Sequence, residues 1–247
     1  MKIVASIEAR MNSTRLYGKV LKEVCGKPVL WHIVERINRS KYVQDVVIAT
    51  STSGKDDAII KFADKYNIKT YRGSEDDVLK RLVDTHEYMN SDLVVEITGD
   101  SPFVDCDVID QTIEMYLSSN CDYVSNTLTR TYPIGVRSQV FHIDLLKECD
   151  KLSTEKKDRE HVTTYICRNE EGKYKLKNLL SPDIFNIPKL RLSLDYEEDF
   201  ILTKKVYEAL YPKNKEFKLN DIISFLDKRP DIVEINKHCK QEYKAGA

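Results

Sequence analysis

The residues of this sequence that are best suited to chemistry lie close to its start, in the stretch 9–19, which reads ARMNSTRLYGK. Guanidinium forks, a mobile ammonium group and the backbone N–H groups of small residues are donors that hold a polyphosphate. The stretch matches neither the Gly-x-Gly-x-x-Gly fingerprint nor the P-loop pattern, and a solvated charged loop is the alternative interpretation. The residues on which phosphate binding would depend are Arg10, Arg15, Lys19, Ala9 and Ser13.

Two acidic residues stand where a hard cation could bind. Asp100 follows Thr98 and Gly99 at the end of a strand-like run, and Asp195 ends a second apolar run at 190–194. Mg²⁺ prefers carboxylate oxygens and commonly bridges them to substrate phosphates. The two residues therefore predict a magnesium site if the fold brings them together. Each of them could instead open a turn or cap a helix.

A further acidic pair, Asp105 and Asp107, spells the DxD motif that some glycosyltransferases use for metal-bound nucleotide sugars. Two acids at this spacing are common by chance, and Asp107 could cap the helix that follows. A nucleotide sugar has no γ-phosphate, so the cations of the 9–19 stretch favour a nucleoside triphosphate. A glycosyltransferase remains the second hypothesis, and a non-catalytic nucleotide-binding protein is the third.

The first half of the chain alternates strand-like and helix-like segments. Four repeats of strand followed by helix predict parallel strands, right-handed crossovers and an open, doubly wound sheet covered on both faces. Ligands bind at the carboxyl ends of the strands in such a sheet, which is where the two candidate loops fall. The strand-like runs are 3–7, 46–49, 68–71 and 93–98, and the helical patterns are 28–39, 56–66, 76–89 and 107–118.

The pattern changes after residue 120. Strand-like runs at 121–125, 136–141, 174–180 and 190–194 are separated by helical patterns at 142–150 and about 158–168, and further helices run to 210 and over about 219–228. No linker or internal repeat divides the chain. We interpret residues 1–247 as one α/β domain with a β-rich excursion at about 125–180, which could contact a partner or simply extend the sheet.

Composition excludes several classes of protein. Lys and Arg total 39 and Asp and Glu total 40, so no basic excess indicates binding to nucleic acid or to an anionic membrane. No apolar stretch approaches the ~18 residues of a membrane span, and the first ten residues are too charged for a signal peptide. The six cysteines form no CxxC pair, which favours free thiols. We expect a cytoplasmic protein.

Taken together, the motifs resemble those of the cytidylyltransferases that make CMP-activated acidic sugars, closest to the branch of the spore-coat polysaccharide protein SpsF. The motifs that carry the resemblance, in chain order, are IEARMNSTRLYGKVL at 7–21, RGSEDDVL at 72–79, ITGDSP at 97–102, YVSN at 123–126 and REHVT at 159–163. The resemblance implies a Rossmann-like three-layer α/β/α nucleotidyltransferase fold and a homodimer formed through the β-rich excursion. It also implies transfer of CMP from CTP to an anionic acceptor, with release of pyrophosphate.

The resemblance also implies roles for particular residues. The triphosphate would be held by Arg10, Arg15 and Lys19, and Mg²⁺ would be bound by Asp100 and Asp195. The remaining residues expected at the nucleotide and acceptor sites are Ala9, Ser13, Arg72, Ser74, Thr98 and Arg137, with Arg72 and Ser74 near the nucleoside.

Three of the positions that depart from the family's usual pattern bear on the site. The family usually has Gln where this chain has Glu8, and relatives often carry acids at the positions of Arg137 and Gln139. Glu8 beside a phosphate loop is expected to point away from it or to pair with Arg10. The gain of a cation predicts an acceptor with an extra carboxylate or phosphate, held by Arg137 and Arg130, although a surface arginine with no ligand role is the alternative.

Overall fold

The computed structural model describes residues 1–240, and its centre is a mixed seven-stranded sheet. The strands, numbered along the chain, are β1 (Ile3–Glu8), β2 (Glu23–Val24), β3 (Lys27–Pro28), β4 (Asp45–Ser51), β5 (Lys69–Gly73), β6 (Leu93–Thr98), β7 (Tyr123–Ser125), β8 (Gln139–His142) and β9 (Leu176–Asn178). The sheet order is β5-β4-β1-β6-β8-β7-β9, while β2 and β3 form a separate two-stranded hairpin.

The first half of the sheet confirms the predicted parallel arrangement. β5, β4, β1 and β6 are parallel neighbours, and β8 then pairs antiparallel with both β6 and β7. β9 completes the sheet beside β7 in the parallel direction. The segment 125–180 therefore extends the main sheet at one edge.

Helices cover both faces of the sheet, which gives the predicted three layers. The helices are α1 (Val29–Ile37), α2 (Asp57–Tyr66), α3 (Val78–Tyr88), α4 (Cys106–Leu117), α5 (Ile143–Leu152), α6 (Lys156–Glu160), α7 (Thr164–Arg168), α8 (Glu197–Leu210), α9 (Leu219–Leu226) and α10 (Pro230–Val233). Helices α1, α2, α4, α8 and α9 bury their apolar stripes in one core, and α3, α5 and α7 bury theirs in a second core on the opposite face. In residues 1–240, no helix is both long enough and apolar enough to cross a membrane.

Two predicted elements differ from the structure. The run 190–194 is not a strand, because Arg191 forms only an isolated bridge with Ile134. Its alternating leucines are buried in the core, so the alternating pattern arises from burial and not from pairing with a neighbouring strand. The predicted helix at about 158–168 is two short helices, α6 and α7, because the chain leaves the helical conformation at His161.

The segment 190–195 is held in place by a tight turn. Ile134 N–H donates to Leu190 O at 2.8 Å, and Leu192 N–H donates to Ile134 O at 2.7 Å. Gly135 follows with a φ of +95°, and a Cβ there would lie 2.5 Å from the backbone nitrogen of Ser193. The turn therefore requires glycine both for its backbone conformation and for its close approach to the segment that ends at Asp195.

Replacing Gly135 by alanine is expected to destabilise the protein by at least about 3 kcal/mol, because strain at a positive φ adds to a clash with backbone that cannot move alone. Gly172→Ala is the matched control: its φ is +61° but nothing lies within 4 Å of a Cβ there. The control should cost only about 1 kcal/mol. Urea denaturation of the two variants measures both values, and equal losses would contradict the close-approach argument.

Candidate active site

A cleft of about 340 Å³ opens at the carboxyl ends of β1 and β6, where the topology of an open sheet places ligands. Its walls come from the loop after β1, the loop after β6, the first turns of α3 and the break between α6 and α7. The polar lining residues are Glu8, Arg10, Asn12, Ser13, Thr14, Arg15, Lys19, Arg81, Thr98, Asp100, Glu160 and His161.

The loop after β1 is folded back on itself by backbone contacts. Met11 accepts from the N–H groups of Ser13 and Gly18, each at 2.9 Å, and its own N–H donates to Asp56 Oδ1 at 2.7 Å. Asp56 is buried and also binds the backbone and hydroxyl of Ser51 at the end of β4. One buried carboxylate thus fixes the loop to the sheet, and the loop's cations are directed into the cleft.

Asp195 is the most strongly paired group at the site. Arg15 Nη2 and Lys19 Nζ each donate to its Oδ1 at 2.8 Å, and Arg191 Nη2 donates to its Oδ2 at 3.0 Å. The Asp195 side chain is only 8% exposed. Burial opposes ionisation, but Lys19 and Arg15 outweigh it and hold the pKa of Asp195 far below its usual range. Asp195 is therefore a carboxylate at any physiological pH.

Asp199 supports Asp195 from beneath. It is fully buried, its Oδ2 accepts from the Asp195 N–H at 2.8 Å, and both its oxygens accept from Arg191. Asn236 Nδ2 donates to the Asp199 Oδ1 at 2.8 Å. This network fixes the backbone at Asp195, so the carboxylate is presented in one position.

Asp100 faces the same ammonium group as Asp195. Lys19 Nζ lies 3.7 Å from Asp100 Oδ2, and the Asp100 carbonyl accepts from the Leu194 N–H at 2.8 Å. Thr98 Oγ1 donates to Asp100 Oδ1 at 2.5 Å. Two carboxylates from separate segments thus converge on a single cation. This donor set fits a hard divalent cation, which takes carboxylate oxygens and leaves room for phosphate.

The structure places Arg72 and Ser74 outside the lining of the cleft. Arg72 donates to Ser51 O at 2.9 Å and to Ser53 O at 2.8 Å, and it pairs with Asp57 at 2.7 Å. The Ser74 hydroxyl accepts from the Asp77 N–H at 3.0 Å before α3 begins. In this conformation both side chains stabilise the loops beside the cleft, and contact with a nucleoside stays a prediction.

Arg137 and Glu8 both lie beside Glu96. Arg137 Nη2 lies 3.6 Å from Glu96 Oε2, and its side chain, which is 17% exposed, is not part of the cleft lining, so contact with an acceptor anion stays a prediction. Glu8 hydrogen-bonds to Glu96 and not to Arg10, whose Nη1 donates instead to Glu75 O at 2.8 Å. The reason is the alternation of β1, which turns the Glu8 side chain to the face that carries Glu96.

Outside β1 and the loop that follows it, three polar cleft residues are not among the predicted site residues: Arg81, Glu160 and His161. Arg159 positions the last two, because it binds both carboxylate oxygens of Asp77 and pairs with Asp150 at 2.7 Å. This clamp holds the break between α6 and α7 against the start of α3. The REHVT motif could have indicated Glu160 and His161 as site residues. The helical pattern through 158–168, however, did not predict the break between α6 and α7 that places them in the cleft.

The DxD motif is engaged in contacts of its own. Asp105 is buried and accepts from the N–H groups of Asp107 and Leu219, at 3.0 and 2.8 Å. Lys218 Nζ donates to Asp107 Oδ2 at 2.7 Å. The carboxylates lie close enough to share an ion with Cys106, yet Asp105 caps α4, both join α4 to the start of α9, and neither lines the cleft.

An open α/β sheet with a cationic loop after its first strand and two convergent carboxylates defines a nucleotidyltransferase. Residues 4–224 match the family model described as cytidylyltransferase, and the chain belongs to that family, in the branch that includes SpsF. It is 33% identical over 236 residues to the spore coat polysaccharide biosynthesis protein SpsF of Bacillus subtilis, covering 94% of this chain and 96% of that protein.

Two further comparisons agree with this assignment. The chain is 35% identical over 242 residues to the 3-deoxy-manno-octulosonate cytidylyltransferase of Geotalea daltonii, covering 98% of this chain and 85% of that enzyme. The solved structure of a cytidylyltransferase from Leptospira borgpetersenii superposes with a TM-score of 0.89 at 29% identity, over 98% of this chain and 99% of that one. The predicted family, fold and enzyme class are confirmed.

Replacing Asp195 by asparagine is expected to lower the free energy of unfolding at pH 7 by about 3 kcal/mol, because it leaves three cations without their shared anion. Asp231→Asn is the matched control, since Asp231 pairs with Arg229 on the surface with 62% of its side chain exposed. The control should change stability by less than about 1 kcal/mol. Urea denaturation gives both values. A D195N variant as stable as the wild type would contradict the prediction, because it would show that water compensates the three cations when the carboxylate is removed.

Proposed function

We propose that this protein transfers CMP from CTP to an acidic sugar, with Mg²⁺ bound and with release of pyrophosphate, in the biosynthesis of a surface polysaccharide or glycoconjugate. One observation carries the proposal: the Lys19 ammonium group lies between the carboxylates of Asp100 and Asp195, beside the guanidinium groups of Arg10 and Arg15. The names of the relatives support the acceptor class, since one concerns a polysaccharide and another an octulosonate.

The reaction requires an acceptor oxygen to attack the α-phosphorus of CTP in line with the departing pyrophosphate. Little covalent chemistry is needed from the protein, so positioning and neutralisation of charge are its main tasks. Mg²⁺ held by Asp100 and Asp195 would supply positive charge to the phosphates. Arg10, Arg15 and Lys19 would bind the triphosphate oxygens and stabilise the charge that develops on pyrophosphate.

Binding of the substrate requires an exchange of partners at the site. In the structure, Arg15 and Lys19 both donate to Asp195, and Lys19 also faces Asp100, so two carboxylates balance the two cations. A triphosphate offers these two cations a denser negative charge, and the carboxylate they release becomes available to a divalent cation. In this paired state, the cations that would bind the triphosphate and the carboxylates that would bind the divalent cation balance each other's charge. Their charges are then not left unpaired in the partly buried cleft.

We also propose that the enzyme acts in the cytoplasm and as a homodimer. β9 forms one edge of the sheet, and Leu180 and Ile184, just beyond it, are 59% and 58% exposed. Exposed apolar side chains beside an open sheet edge suit a contact with a second copy. β9 and Leu180 belong to the segment 125–180, through which the resemblance implied a dimer, and Ile184 lies just beyond that segment.

The reaction is tested by pyrophosphate release with Mg²⁺, each of the four nucleoside triphosphates, and a panel of acidic sugars that includes 3-deoxy-manno-octulosonate. Release with CTP and an acidic sugar is expected. Turnover of a ready-made nucleotide sugar without pyrophosphate would instead identify a glycosyltransferase. Failure to bind any nucleotide in calorimetry would contradict the enzymatic proposal.

Lys19→Gln is expected to lower kcat by about 100-fold or more, as removal of a donor that stabilises developing charge commonly does. Lys22→Gln is the matched control, because Lys22 is three residues away and pairs on the surface with Glu197. The control should retain activity within about twofold. Equal effects of the two substitutions on pyrophosphate release would contradict the role given to Lys19.

A further inference from the structure

A cluster of polar side chains lies on one face of the sheet directly beneath the cleft. Parallel pairing sets Glu8 of β1 opposite Thr98 of β6, and antiparallel pairing sets Glu96 of β6 opposite Gln139 of β8. Alternation along the strands turns Glu8, Glu96 and Gln139 to the same face, while their neighbours Ile7 and Ile97 enter the opposite core.

Glu96 is the charged centre of this cluster. Its side chain is 4% exposed, Arg137 Nη2 lies 3.6 Å from Oε2, and Gln139 Nε2 donates to the same oxygen. Gln139 is itself fixed, because its Oε1 accepts from the hydroxyls of Thr163, at 2.8 Å, and of Tyr123. A guanidinium and an oriented amide therefore compensate the buried charge of Glu96.

Glu8 joins this cluster through its contact with Glu96. Burial, the charge of Glu96 and the hydrogen bond between the two carboxyl groups raise the pKa of Glu8 well above its ordinary value. Glu8 Oε1 is buried and has no hydrogen-bond partner among residues 1–240, although Glu8 lines the cleft.

Arg81 offers a complementary unpaired group in the same lining. It is 1% exposed, and its Nη1 donates to the backbone oxygens of Ser74 and Glu75 where α3 begins. Its Nε is buried and lacks a partner in the described part of the chain. Arg81 and Glu8 line the same cleft, Arg81 from the first turns of α3 and Glu8 from the end of β1. A buried acceptor and a buried donor thus remain unsatisfied in the lining of one cleft, which is costly unless a ligand or water binds them.

We propose that Glu8 Oε1 and Arg81 Nε form a subsite for one sugar hydroxyl, which donates to Glu8 and accepts from Arg81. The hydroxyl belongs either to the acceptor or to the ribose of CTP, so the proposal rests on the proposed function. A carboxylate or phosphate is disfavoured there, because it has no proton to donate and the Glu96 charge lies beneath. The subsite therefore selects a neutral hydroxyl. The presence of Arg137 in the sequence had instead predicted an acceptor with an extra carboxylate or phosphate.

The test compares Glu8→Gln with Glu8→Leu in the full chain. Glutamine keeps a donor toward Glu96 and an acceptor oxygen toward the cleft, whereas leucine removes both. Calorimetry measures binding of CTP, 2′-deoxy-CTP and 3′-deoxy-CTP with Mg²⁺. Saturation-transfer NMR of the CTP-loaded protein measures binding of 3-deoxy-manno-octulosonate without requiring turnover.

The E8Q variant should bind every probe within threefold of the wild type. If the hydroxyl is on the ribose, the wild type should prefer CTP over one deoxynucleotide by at least tenfold and E8L should lose that preference. If the hydroxyl is on the acceptor, E8L should keep its affinity for CTP and bind the octulosonate at least tenfold more weakly.

The subsite is overturned if E8L binds CTP, both deoxynucleotides and the octulosonate as the wild type does, or if E8Q is as defective as E8L. If the wild type binds CTP and releases pyrophosphate, the proposed function stands whether or not the subsite is overturned. A wild type that binds no nucleotide overturns the proposed function, and the subsite with it.

Discussion

The site depends on one electrostatic constraint, which is that the Lys19 ammonium group must lie between two carboxylates that come from distant parts of the chain. Asp100 reaches it from the end of β6, and Asp195 reaches it from a segment nearly a hundred residues later. A separation of that length can be closed only by a rigid scaffold. The parallel pairing of β1 with β6 supplies one side of it, and the hydrogen bond from Leu194 to the Asp100 carbonyl supplies the other.

Much of the surrounding structure follows from the need to hold these charges in fixed positions. Asp199 and Arg191 are buried at the base of the site because a mobile Asp195 would lose its pairing, and Asp56 fixes the cationic loop for the same reason. At the floor of the cleft, buried carboxyl groups are held by a different arrangement. There burial and the charge of Glu96 raise the pKa of Glu8, and the Arg137 guanidinium lies 3.6 Å from Glu96.

The parallel half of the fold, the cationic loop and the paired acids could be predicted because they depend on local patterns: apolar runs, helical periodicity and residue types at strand ends. The rest depends on contacts between distant segments. Arg72 binds backbone oxygens of the β4 loop, and Arg137 binds Glu96, neither of which leaves a trace in neighbouring residues. The departures at Glu8, Arg137 and Gln139 looked independent in sequence, yet the structure joins all three around Glu96. The leucines of 190–194 imitated a strand because burial on one side gives the same alternation.

The central claim is that Asp195 exchanges the cations of the loop for a divalent cation when the triphosphate binds. The most direct measurement is calorimetry of CTP binding with and without Mg²⁺ for the wild type and Asp195→Asn. In the wild type, Mg²⁺ should strengthen binding by at least about tenfold, or about 1.4 kcal/mol. In D195N, CTP should bind without Mg²⁺ at least as tightly as to the wild type, because Arg15 and Lys19 are released, and Mg²⁺ should add little. An equal effect of Mg²⁺ on the two proteins would contradict the exchange.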